Sequence, residues 1–71
     1  MPTFADRLKE LRNSKKLTQK DMAEIFQMTE RNYQRLEAIV KPSYDNLIRF
    51  ADFFQVSTDY MLGRTDNPKR L

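Results

Sequence analysis

Thr18-Gln-Lys-Asp-Met-Ala-Glu-Ile-Phe-Gln-Met-Thr-Glu-Arg-Asn-Tyr-Gln-Arg-Leu-Glu37 is the stretch that decides the fold. Thr18 and Thr29 are both good N-cap residues, so the spacing predicts one helix over about Gln19 to Phe26 and a second over about Glu30 to Ala38, with roughly three residues between them. Met22, Ala23 and Phe26 share a face of the first helix. Ala23, at its middle, is small enough to let two backbones approach at a steep angle. Met22, Phe26, Met28, Tyr33 and Leu36 supply the apolar wedge between the two helices. The second helix has Tyr33 and Leu36 as its large apolar residues, and the rest of its surface is Glu30, Arg31, Asn32, Gln34, Arg35 and Glu37, all hydrogen-bonding side chains.

The same reading extends outward. Thr3, Ser43 and Ser57 are three further N-cap residues, giving five helix starts in all. Asp6, Asp21 and Asn46 each stand three positions after a cap, where a side chain can reach back to the cap's own N–H. The first helix, about Phe4 to Ser14, aligns Phe4, Leu8 and Leu11, with Arg7, Lys9, Glu10 and Arg12 toward solvent or the edge of that stripe. Pro42 excludes helix at Lys41, so Ile39 to Pro42 is expected as a loop before a helix over Tyr44 to Phe54, whose stripe is Leu47, Phe50, Ala51 and Phe54. Val56 is a plug between helices, and Ser57 opens a short helix through Leu62 that Gly63 can end in left-handed geometry. No segment alternates as a half-buried strand does, so the expected fold is all-α with five helices. Residues 1–63 read as one domain, and Arg64 to Leu71, without apolar periodicity, as a flexible basic tail.

Composition narrows the function classes. A chain of 71 residues has room for a single modest core. It contains no cysteine and no histidine, which removes disulfides, thiolate nucleophiles and the commonest metal ligands and general bases. With no glycine-rich phosphate loop and no convincing carboxylate pair, an enzyme is not expected, nor is any cofactor or small-molecule ligand. No apolar run approaches a membrane span and the N-terminus lacks the apolar core of a secretion signal, so a cytoplasmic location is expected. The net charge is +3, with the positive excess at the two ends: +3 within residues 1–17 and +2 within 63–71. A polyanionic partner suits that balance without being required by it.

Phe4-Ala-Asp-Arg-Leu-Lys-Glu-Leu-Arg12, Leu17-Thr-Gln-Lys-Asp-Met-Ala-Glu24 and Phe54-Gln-Val-Ser-Thr-Asp-Tyr-Met-Leu-Gly63 resemble the first, second and closing helices of the phage-repressor (Cro and repressor) helix-turn-helix family, the XRE family. The resemblance implies a five-helix, lambda-repressor-like domain that regulates transcription, acts as a homodimer on a double-stranded DNA operator and inserts its third helix into the major groove. It also implies Glu30, Arg31 and Arg35 nearest the base edges, with Asn32 and Gln34 at the margins. The chemistry agrees, because arginine can donate two hydrogen bonds to guanine O6 and N7 while asparagine or glutamine can bridge adenine N6 and N7. Gln19 and Lys20 occupy positions where family members touch the DNA backbone, Thr29 at the next helix start can bond a phosphate, and Lys41 in the following loop is a fourth phosphate candidate. Two departures stand out: Gln27 occupies the turn position where the family usually has glycine, and the segment Glu37 to Pro42 lacks the family's loop glycine.

Arg12 and Glu37 are placed together by the same resemblance, as a partly buried pair that fixes the third helix. Phe53, Tyr60 and Met61 are harder to bury within one copy and are candidates for the dimer interface. Phe4, Phe26, Phe50 and Phe54, at helical spacing, are core residues. The rival to a DNA-binding repressor is a helix-turn-helix module that binds a protein, antitoxin-like or a target of an antirepressor. Such a module would favour exposed Leu, Phe or Met over the Arg, Asn and Gln of the third helix.

Overall fold

Each helix begins where a Ser or Thr hydroxyl accepts the backbone N–H three residues on. The computed structural model describes residues 2–38 and 41–70. It contains α1 (Phe4–Ser14), α2 (Gln19–Ile25), α3 (Glu30–Leu36), α4 (Tyr44–Phe54) and α5 (Thr58–Met61), capped by Thr3, Thr18, Thr29, Ser43 and Ser57 in turn. No strand occurs among the described residues. The Thr3–Asp6 and Thr18–Asp21 pairs are full capping boxes, each aspartate accepting the cap's N–H. These bonds, the backbone one foremost, hold both carboxyls below their ordinary range. Ser43 accepts from the Asn46 N–H, but no return bond joins the Ser43 N–H to the Asn46 side chain. The expected loop at Ile39 and Val40 lies outside the described residues.

Four helices end alike. Lys16, Gln27, Gln55 and Gly63 have φ of 57°, 56°, 56° and 75°. In each case the next residue sends its N–H back five positions: Leu17 to Arg12, Met28 to Ala23, Val56 to Ala51 and Arg64 to Asp59. This is the Schellman pattern, which usually takes glycine at the left-handed residue and an apolar residue after it. Here the apolar half is kept in Leu17, Met28 and Val56, which pack on or in the core. The left-handed strain of the three non-glycine residues, about 1–2 kcal/mol each, is offset by that packing and by the carbonyls the turn satisfies. α2, α3 and α5 are each one or two residues shorter than the periodicity suggests, because these closing turns and the Glu37 turn consume their last positions.

Gly63 has a second constraint. A Cβ there would lie 1.9 Å from the Pro2 carbonyl oxygen. Gly63→Ala should therefore cost about 2 kcal/mol, from left-handed strain and displacement of the N-terminal backbone, and urea unfolding checks the loss.

The core gathers Phe4 and Leu8 from α1, Met22, Ala23 and Phe26 from α2 and its cap, Tyr33 and Leu36 from α3, Phe50, Ala51 and Phe54 from α4, then Val56 and Met61. Phe50 is its hub, with ring centroids 4.6 Å from Phe26, 6.0 Å from Phe4 and 6.3 Å from Tyr33. Arg7, expected toward solvent or the edge of the α1 stripe, is buried: its guanidinium lies 4.0 Å from the Tyr60 ring centroid and donates to Asp66 at 2.7 Å. The segment read as a tail makes further contacts. Ser57 N–H donates to the Pro68 carbonyl, and Arg70 donates to the Ala51 carbonyl and, at 2.6 Å, to Asp52.

Candidate nucleic-acid interface

α3 is a short helix with two unlike sides. Tyr33 and Leu36, three apart, turn inward and are buried, while Glu30, Arg31, Asn32, Gln34 and Arg35 are all exposed. α2 packs against α3 across the Ala23 and Met28 turn, so the polar side of α3 stands on a rigid support. Gln34 donates to Glu30 one helical turn back at 3.3 Å. Glu30 thus steadies Gln34, and no Glu30–Arg31 ion pair forms among the described residues. Thr29 accepts from the Asn32 N–H, which leaves its hydroxyl hydrogen free to donate.

Lys41 also borders this face. It lines a recess of about 320 Å³ together with Met28, Asn32, Arg35, Leu36, Ser43 and Asn46. In the sequence Ser43 and Asn46 stand only as a cap and its partner. Asn46 is the more informative of the two, because its amide is not spent on the cap. Lys20 is exposed at the start of α2.

Behind the face, three helices meet in one polar cluster. Arg12 of α1 grips Glu37, the residue that closes α3, through Nε to Oε2 at 2.6 Å and Nη2 to Oε1 at 3.1 Å, and its Nη1 donates to the Leu17 carbonyl at 2.8 Å. The Glu37 side chain is 2% exposed and that of Arg12 12%. A two-point carboxylate grip of this kind fixes orientation as well as distance. Gln19, the first residue of α2, also donates to Glu37 Oε1, at 3.2 Å. Burial pushes the Glu37 carboxyl up, but the hydrogen bonds from Arg12 and Gln19 and the Arg12 charge outweigh it and leave it below its ordinary range. The Glu37 bond in turn raises Arg12. Tyr33 sits beside the pair with its hydroxyl buried and no well-formed hydrogen bond; burial, then the neighbouring carboxylate, push it above the tyrosine range.

The dimer candidates fare differently. Phe53 is half-buried against Phe26 and Phe54, and Tyr60 is half-buried under Arg7. Met61 is fully buried. The expectation that Met61 faces a second copy is corrected, because it has no surface to offer: α5 packs against α1 and α4, and Met61 lies within that packing. The exposed large apolar side chains among the described residues are Ile25, Tyr44 and Leu62.

A profile of the helix-turn-helix family matches residues 8–61, from within α1 to the end of α5. The chain belongs to the XRE-type helix-turn-helix family. Within the family it is 39% identical over 66 residues to the uncharacterized HTH-type transcriptional regulator YobD of Bacillus subtilis (strain 168), covering 92% of this chain and 59% of that protein. It is 35% identical over 69 residues to the HTH-type transcriptional regulator ImmR of the same organism, covering 96% of this chain and 54% of that protein. The chain thus spans little more than half the length of these curated relatives. In family terms α2 and α3 are the helix-turn-helix, with the family's turn glycine replaced by the left-handed Gln27. No helix among the described residues is long and apolar enough to cross a membrane.

Proposed function

We propose that this domain is a sequence-specific double-stranded DNA-binding transcriptional regulator, a repressor that reads the major groove with α3. The observation that carries the reading is the exposed Arg31, Asn32, Gln34 and Arg35 on a helix anchored from behind by Tyr33 and Leu36. Those side chains match base-edge donors and acceptors. Lys20, Thr29 and Lys41 surround them as phosphate contacts, with Ser43 and Asn46 beside Lys41 in the same recess. None of the exposed large apolar side chains lies on α3, which speaks against a dry protein-binding use of this face. The names of the relatives, transcriptional regulators of the HTH type, support the same reading. Two copies would place their third helices in successive major grooves about 34–36 Å apart. Phe53 and Tyr60 remain the candidates for joining them, and the site of action is the cytoplasm, at the nucleoid.

Two substitutions separate base reading from backbone contact. Arg31→Ala should weaken binding to the preferred duplex by about 1–3 kcal/mol and relax base preference at one position. Lys41→Ala should weaken all sequences alike and lower the slope of log affinity against log salt by about 1. Fluorescence anisotropy over a salt series with single-base duplex variants measures both. Equal losses on every duplex for Arg31→Ala would contradict its base-reading role.

A further inference from the structure

The bond from Gln19 to Glu37 links the cluster behind α3 to the side chain that opens α2. A glutamine amide can be turned either way round, presenting its carbonyl oxygen or its NH₂ to a given neighbour. Glu37 removes that choice. As a carboxylate held ionised by Arg12 it only accepts, so the Gln19 side chain must face it with Nε2, as the 3.2 Å contact to Oε1 has it. The second N–H on that planar nitrogen then diverges from Glu37 by the trigonal angle, and Gln19, half-buried, retains exposed surface. Phosphate oxygens also only accept, so a glutamine can bond them only through an N–H.

We propose that Glu37 is a positioning residue for Gln19: it orients the amide so that its second N–H is preset to donate to a DNA phosphate. This rests on the DNA-binding reading above and goes beyond it, since it gives Glu37 a part in contacting DNA that it never touches. Arg12 acts one step further back, by holding Oε1 in place with its Nη2. The order Arg12, Glu37, Gln19 therefore runs from α1 through the end of α3 to the start of α2. An orientation fixed before binding removes an ordering cost that a freely rotating glutamine would incur on the duplex.

The test has two arms. In the free protein, NMR should find one Gln19 side-chain amide proton displaced downfield and slowed in exchange with water relative to those of the exposed Gln27 and Gln55. Gln19 amide protons resembling theirs would overturn the positioning whatever the protein does with DNA. On a preferred duplex, at a temperature where circular dichroism shows every variant folded, Glu37→Gln should weaken binding about threefold to tenfold with Gln19 present and less than about twofold in the Gln19→Ala background. Equal losses in both backgrounds would mean that Glu37 acts only by holding the helices together, and would overturn the proposal. A wild-type protein with no preference for any duplex would overturn the reading of α3 itself and the DNA half of this one. The amide spectrum, recorded without DNA, tells those failures apart.

Discussion

Glu37→Ala is expected to lower the unfolding free energy by about 3–5 kcal/mol, because it strands the Arg12 guanidinium, which has little access to water, without its partner. For a small domain whose total stability is of the order of 5–15 kcal/mol, that is a large fraction. Urea unfolding followed by circular dichroism measures it. The double variant Arg12→Met with Glu37→Leu should recover most of the loss, since an apolar pair of similar volume leaves no buried charge. The effect has a pH signature whose sign follows from the carboxyl's depressed value. Glu37 contributes fully above its ordinary value of 4.5, and the contribution disappears as pH falls through its lower folded value. The gap between wild type and Glu37→Ala should thus be constant near neutrality and shrink below about pH 4.5. Asp6 and Asp21, whose values are also lowered by their caps, add to the acid sensitivity of both proteins alike and cancel from the difference.

Phe50→Ala should be comparably damaging, at about 3–5 kcal/mol. Its ring is fully buried and meets Phe4, Phe26 and Tyr33, so truncation opens a cavity where α1, α2 and α3 converge on α4. Phe50→Leu should cost less, since it keeps most of the volume. Tyr44, 77% exposed on the same helix, is the control: Tyr44→Ala should change stability by no more than about 0.5 kcal/mol. Thermal melts of the three variants rank these effects. A Phe50→Ala protein as stable as Tyr44→Ala would mean that the core is organised around some other residue.

What the sequence made legible was local. Thr3, Thr18, Thr29, Ser43 and Ser57 announce their helices because a cap needs only its own hydroxyl and an N–H three residues away. The inward pair Tyr33 and Leu36 and the outward polar face of α3 follow from helical period alone. The burial of Arg7 is not legible in the sequence because it depends on Tyr60 and Asp66, more than fifty residues distant, and nothing near Arg7 marks them. The left-handed Lys16 and Gln55 lack the glycine that marks such turns, and the apolar residue following each, Leu17 and Val56, is the available signal. The pairing of Glu37 with Arg12 follows from the resemblance, whereas the Gln19–Glu37 bond is not legible, because it joins the first residue of one helix to the closing residue of the next. Met61 is buried because α5 packs on α1 and α4, and nothing near Met61 in the sequence marks those distant partners.

The central claim is that the polar side of α3 enters a duplex groove and reads bases there. Selection of bound sequences from a random duplex library by the wild-type protein tests it most directly. The expected outcome is enrichment of a motif with two related half-sites whose centres lie about one helical turn apart, and loss of information at single positions when Arg31→Ala or Arg35→Ala is used instead. A pool that stays random, or a motif unchanged by both substitutions, would contradict it.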